Sequence, residues 1–157
     1  MREGTQDKIA EFLESRRLAF VGVSRDARHF SRLLFREFIA QGYEPIPVNP
    51  QAAEIEGRKC FAHVADITPP VEAALLMTGT PAATEQAMRE CDQAAIRRIW
   101  LYKAVNGGES HEPTVESCRS RGSTVIEGYC PFMFLPHPGF IHRAHRFLMK
   151  VGGSYPL

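Results

Sequence analysis

Short apolar runs alternate with stretches in which apolar positions recur every three or four residues, from Leu18 through Glu127. Runs of the first kind read as buried strands and stretches of the second as amphipathic helices. The pattern predicts strands over 18–23, 44–48, 71–77, 98–102 and 124–127. Between them it predicts a helix over 30–41, with Phe30, Leu34 and Phe38 on one face and Gly42 as its left-handed stop. A short helical turn is expected over 62–67, and helices over 81–94 and 113–121. Thr80-Pro81 opens the helix at 81, with threonine capping and proline in the first helical position, where a missing N–H is harmless. The connection 51–59 is polar and turns at Gly57. Pro45 and Pro47 each remove a ladder donor from the second strand, but their alternation leaves both gaps on one side, so the strand can still pair on the other.

Strand–helix–strand units of this length imply a parallel sheet with right-handed crossovers. The expected architecture is α/β: a Rossmann-like three-layer fold around a five-stranded parallel sheet of order 3-2-1-4-5, forming one domain over 1–157 with its core at 18–132. An N-terminal helix over 5–17 packs Ile9, Phe12 and Leu13 on the domain. A C-terminal extension, 133–157, carries a basic helix over 140–151. Aromatic residues in 132–135 read as exposed, a hint of a dimer.

Composition narrows the function classes. The chain has 157 residues, 44% hydrophobic and 24% charged, which is globular. A net charge of +1 excludes strong field-driven attraction to nucleic acid or a membrane. No apolar stretch reaches the roughly 20 residues that span a bilayer, and residues 1–17 lack a signal-peptide core, so the expected location is the cytoplasm. The four cysteines, Cys60, Cys91, Cys118 and Cys130, form no C-x-x-C pair and read as packed structural thiols. That includes Cys130, despite its place at the ligand edge of the sheet.

Ligands of open α/β sheets bind beyond the carboxyl ends of the strands, where the strand order reverses. With the expected order, that crevice lies between the first and fourth strands and gathers loops 22–31, 48–50, 78–81 and 102–108. The turn Gly22-Val23-Ser24-Arg25 follows the first strand and feeds a helix. Gly22 admits close approach of a pyrophosphate, Ser24 offers a hydroxyl, and the helix N-terminus offers amides. Arg25 and Arg28 add guanidinium groups suited to phosphate. The dinucleotide fingerprint G-x-G-x-x-G is only half present, because the chain has Gly22, Ser24 and Ala27. At the end of the second strand, Asn49-Pro50 stands where a nicotinamide-binding domain places a carboxylate for the ribose diol. A phosphorylated nucleotide is expected, with NAD disfavoured.

Taken together, Gly22-Val23-Ser24-Arg25, Val48-Asn49-Pro50, Ile55-Glu56-Gly57, Thr80-Pro81 and Cys130-Pro131 resemble the small CoA-binding proteins. These are stand-alone relatives of the N-terminal CoA-binding domain of the succinyl-CoA synthetase α subunit. The resemblance spans about 18–132. It implies coenzyme A or an acyl-CoA across the strand ends, with Gly22, Ser24 and Arg25 at the phosphates. It places Asn49 and Pro50 at the adenosine, and Thr80 and Pro81 beside the nucleotide or pantetheine.

The chain departs from that family after Trp100-Leu101, where Tyr102-Lys103-Ala104 replaces the usual Gln and Pro-Gly; Lys103 is a candidate phosphate contact. Arg28 has no role carried over. The chain contains no P-loop, no G-x-S-x-G elbow and no metal-ligand set. In the extension, His142 and His145 lie with Arg143, Arg146 and Lys150 on an appended basic helix, His137 outside it, and the helix reads as a contact for a second copy or a partner enzyme. The expected function is binding without catalysis by this chain alone. The alternative is an NAD(P)-binding oxidoreductase or redox sensor, with Arg25 and Arg28 on a 2′-phosphate.

Overall fold

The computed structural model describes residues 4–102 and 112–135. Helix α1 (Thr5–Glu14) is followed by strand β1 (Arg17–Val21), helix α2 (Phe30–Ala40) and strand β2 (Glu44–Val48). A hairpin of β3 (Glu54–Ile55) and β4 (Arg58–Lys59) comes next, then a single 3₁₀ turn (Val64–Asp66) and strand β5 (Ala73–Leu76). Helix α3 (Pro81–Gln93), strand β6 (Arg98–Leu101), helix α4 (Glu112–Ser120), strand β7 (Thr124–Glu127) and a 3₁₀ turn (Pro131–Met133) complete it.

Five strands form one parallel sheet, as the hydrophobic pattern predicts, but their order is β2-β1-β5-β6-β7. In the numbering of the five predicted strands this is 2-1-3-4-5, and it corrects the expected 3-2-1-4-5. The reason lies in the prolines of β2. The Pro47 carbonyl accepts from Phe61 N–H on the side away from β1. In a strand a residue's nitrogen faces the same side as its carbonyl, so the missing donors of Pro45 and Pro47 face outward too. That side cannot take a full strand. It is covered instead by the chain after β4, through the single bridge Val48–Phe61. The strand that follows β2 must therefore pair with β1, and the reversal of order falls between β1 and β5.

Alternation along β1 splits its side chains between two cores. Leu18 and Phe20 face α1 and α2, packing with Ile9, Phe12, Leu34, Phe35 and Phe38. Ala19 and Val21 face the other way, with Met88 and Cys91 of α3 and Val115 and Cys118 of α4. All four residues of β5 are buried, as a central parallel strand with both faces covered should be. Ile9 and Phe12 anchor α1, and Leu13 packs against the same core, as predicted. Trp100 is fully buried, stands edge-on to Phe12 at 5.3 Å and donates from Nε1 to the Tyr129 carbonyl at 3.0 Å.

The aromatic residues near 132–135 are not an exposed patch. Phe134 stacks against Trp100, Phe132 against Phe30, and Leu135 is fully buried. The apolar run belongs to the core of this chain. The basic helix at 140–151 and its histidines lie outside the described residues.

Candidate functional site

Three strand ends are stitched together at the reversal point. The Gly22 amide donates to the Val48 carbonyl at 3.0 Å, and the Met77 amide donates to the Val21 carbonyl at 2.8 Å. Gly22 has φ +87°, and a Cβ there would stand 2.6 Å from the Met77 carbonyl oxygen. Only glycine permits this approach. Beyond these ends lies a cavity of 540 Å³, walled by Gly22, Asn49, Pro50, His63, Thr80 and Glu90 among others. The 78–80 loop and α3 supply one wall, 49–51 and 62–63 the other. The crevice thus opens between β1 and β5, not beside the fourth predicted strand.

The turn after β1 is held open by side chains that the sequence reading passed over. Arg32 donates from Nη1 to the carbonyls of Ser24 (3.2 Å) and Arg25 (3.1 Å), while Arg36 donates to the Ala27 carbonyl. Both guanidiniums also bind the carboxylate of Glu56 at the tip of the β3–β4 hairpin, Arg36 from Nε at 2.9 Å and Arg32 from Nε at 3.1 Å. These bonds hold the Glu56 carboxyl below the usual carboxylate range, Arg36 contributing most. Glu56 has φ +51° and Gly57 +70°, the left-handed pair of a tight two-residue hairpin turn. In a trans peptide the N–H points opposite to the carbonyl. With the Ser24 carbonyl drawn toward Arg32, the Arg25 amide faces away from it, and neither the Arg25 nor the Ala27 amide donates to anything among the described residues.

The predicted residues take different places around this frame. Gly22, Asn49, Pro50 and Thr80 line the cavity. The Val23 side chain is buried in the core, and its carbonyl accepts from Asn49 Nδ2 at 2.9 Å. Asn49 Oδ1 accepts from Gln51 N–H at 2.8 Å, so the whole Asn49 amide fastens the corner to the turn. Ser24 donates its amide to the buried Ser31 hydroxyl and accepts the Asp26 amide at its own oxygen. Thr80 Oγ1 caps α3 by accepting from Ala83 N–H, and Pro81, exposed, does not line the cavity. Arg25 is exposed, and its guanidinium has no partner among the described residues. Arg28 faces Asp26, Nε to Oδ1 at 3.4 Å. The backbone N–H of Arg28, before any other cause, holds the Asp26 carboxyl below its usual range. Lys103 lies outside the described residues.

Two further groups stand in the cavity wall. His63 Nδ1 lies 3.1 Å from Glu90 Oε1, which also accepts from Gln86 Nε2 at 3.0 Å. Among the described residues, no lysine or arginine lines the cavity. His63 precedes the 3₁₀ turn and Glu90 is on α3, far apart in sequence, so only the tertiary fold reveals the pair. Burial pushes the thiols of Cys60, Cys91, Cys118 and Cys130 up, away from the reactive thiolate. No group of three or more metal-ligating side chains occurs among the described residues, and none of their helices is long and apolar enough to cross a membrane.

A five-stranded parallel sheet of order β2-β1-β5-β6-β7, with a glycine turn and a helix N-terminus at its order reversal, defines a Rossmann-like α/β protein. The family model for the CoA binding domain matches residues 16–136, and the chain belongs to that family. It is 27% identical to the uncharacterised protein YneT of Bacillus subtilis (strain 168) over 134 residues, 83% of this chain and 93% of YneT. Among solved structures it is similar to a hypothetical protein from Pyrococcus horikoshii OT3, with a TM-score of 0.74, 20% identity, and coverage of 87% of this chain and 94% of that one. A conserved hypothetical protein from Pyrococcus furiosus is 27% identical, with a TM-score of 0.64 over 73% of this chain and 95% of that one. The fold also recurs in a dinucleotide-forming acetyl-coenzyme A synthetase from Ca. Korarchaeum cryptofilum, at a TM-score of 0.59 and 23% identity; the match covers 70% of this chain and 25% of that one.

Proposed function

We propose that the chain binds coenzyme A or an acyl-CoA across the carboxyl ends of β2, β1 and β5, and that it binds without catalysing a reaction by itself. The observation that carries this reading is the turn 22–27. Its carbonyls are held by Arg32 and Arg36, the Arg25 and Ala27 amides are open, and the unpartnered Arg25 guanidinium stands beside them. Such a turn cradles phosphate oxygens by amide donation and charge together. Arg28 contributes less, because its guanidinium is shared with Asp26. The family membership selects CoA from among phosphorylated nucleotides. The NAD(P) alternative finds no carboxylate at the end of β2, since Asn49 and Pro50 occupy that corner and Glu56 is bound to two arginines. Burial raises the Cys130 thiol away from the reactive thiolate, which supports a binding role.

Calorimetric titration with CoA, acetyl-CoA, 3′-dephospho-CoA, NAD and NADP tests the reading. Binding of CoA is expected, weakened about tenfold by Arg25→Ala, as suits the loss of one charged phosphate contact of ~1.4 kcal/mol. Tight NADP binding with silence toward CoA would overturn it.

A further inference from the structure

Every backbone carbonyl from Val23 to Ala27 is turned toward a donor. Val23 accepts from Asn49 Nδ2 at 2.9 Å, Ser24 and Arg25 from Arg32 Nη1, Asp26 from the His29 amide at 3.1 Å, and Ala27 from Arg36. The amides of Ser24, Asp26 and Arg28 are occupied as well, by the Ser31 hydroxyl, Ser24 Oγ and Asp26 Oδ1. What stays open are donors, among them the amides of Arg25 and Ala27. A turn whose free backbone groups are donors suits an anion.

His29, Arg32 and Arg36 hold all of these carbonyls but the first. Val23 alone is held from another part of the chain, by Asn49 just beyond β2. The orientation of the Asn49 amide is fixed by both its partners. The Val23 carbonyl only accepts and the Gln51 N–H only donates, so Nδ2 faces the first and Oδ1 the second. The backbone of Asn49 is tied too: its N–H donates to the Phe61 carbonyl at 2.9 Å, and its carbonyl accepts from the Ala52 amide at 3.3 Å. In a trans peptide, carbonyl and N–H point to opposite sides. Drawing the Val23 carbonyl onto Asn49 therefore turns the Ser24 N–H onto the buried Ser31 hydroxyl, at 2.9 Å. That peptide plane is the first of the turn, and its rotation would displace the donors that follow.

We infer that Asn49 is a positioning residue for the ligand's phosphates, acting through the Val23 carbonyl, and that it sets specificity at the end of β2. This inference rests on the reading of the 22–27 turn as a phosphate site. Aspartate in its place would keep the acceptor for Gln51 and set a negative oxygen against the Val23 carbonyl. A carboxylate is the group that would accept from a ribose diol. It cannot stand at this corner without turning the first peptide plane away. Position 49 thus opposes NAD through what the turn requires, beyond what the corner lacks.

The test separates phosphate from nucleoside by using inorganic pyrophosphate beside CoA on the full chain. In the native protein, pyrophosphate should shift the ¹H–¹⁵N resonances of Arg25 and Ala27. Asn49→Asp and Asn49→Ala should each weaken CoA and pyrophosphate by the same factor, about tenfold, and neither should gain NAD binding. Without ligand, the resonances displaced in the variants should be those around 23–27 and 49–51, with β6, β7 and α4 unmoved. Displacement throughout the sheet would mean general loosening and overturn the positioning role. So would a loss of CoA affinity with pyrophosphate affinity unchanged, which marks a contact to the nucleoside. NAD binding gained by Asn49→Asp, or native Arg25 and Ala27 amides unmoved by pyrophosphate, would overturn it equally. If Asn49→Asp fails to fold, Asn49→Ala decides. Native protein that binds pyrophosphate at this turn and not CoA would overturn the CoA reading and leave the role of Asn49 standing.

Discussion

Gly22 shows how much one residue decides. It closes β1, donates to β2 and passes close to the backbone at Met77, just beyond β5. Gly22→Ala would place a methyl carbon 2.6 Å from the Met77 carbonyl oxygen and 2.8 Å from its carbon, at a φ of +87°. Backbone at the end of a central strand cannot yield as a side-chain tip would. The variant is expected to lose at least about 2 kcal/mol of stability in denaturant unfolding, and CoA binding with it. At this scale the sequence was legible in part. The glycine, the capping threonine and the Asn-Pro corner announce a turn, a helix start and a strand end by their own chemistry. Their partners do not show in a linear reading. Nothing in the sequence tells that the Asn49 amide is consumed by Val23 and Gln51, or that Arg28 turns to Asp26 and leaves Arg25 alone.

The elements were more legible than the residues, because a buried strand and a one-sided helix each impose a period that the chain cannot hide. The β3–β4 hairpin was the exception. Two-residue strands have no period, and Glu56-Gly57 marks only the turn. That hairpin matters because its tip carboxylate joins Arg32 and Arg36 of α2 to the carbonyls of the 22–27 turn. Glu56→Gln should therefore weaken two things at once. Unfolding at neutral pH is expected to show a loss of about 1–2 kcal/mol, typical of a partly shielded charge-assisted bond. CoA affinity should fall severalfold as the turn loosens. The pH dependence has a definite sign. Because the Glu56 carboxyl is depressed in the folded state, its contribution is complete above the ordinary glutamate value of about 4.3 and is lost as pH falls through that value toward the lower folded one. The stability gap between native protein and variant should thus be full at pH 7 and close as the pH falls below the ordinary glutamate value.

At the scale of the molecule, the strand order was the failure of the linear reading, although the clue was present. Alternating prolines show that one side of β2 cannot be extended, and a strand of that kind belongs at an edge. An order that sandwiches β2 between two neighbours contradicts its own sequence. Once β2 is at the edge, β5 must lie beside β1, and the crevice moves to the place where Gly22 touches Met77. The same architecture separates what holds the fold from the crevice. Around Trp100 the two ends of the described chain meet: Phe12 of α1 stands edge-on at 5.3 Å, Phe134 lies at 5.9 Å, and the Tyr129 carbonyl accepts the indole N–H. None of these residues lines the cavity. Phe12→Ala empties a fully buried site and is expected to cost about 3–5 kcal/mol, a large share of a typical domain's stability. Its dissociation constant for CoA, measured well below the unfolding temperature, should stay within twofold of the native value. Saturating CoA, at about 100 times that constant, should then restore roughly 2.7 kcal/mol by mass action to native protein and variant alike. Intrinsic tryptophan fluorescence and far-UV circular dichroism, followed through the same urea transition with and without CoA, report both quantities. A variant that loses affinity along with stability would mean that the aromatic cluster also shapes the crevice on the opposite side of the sheet.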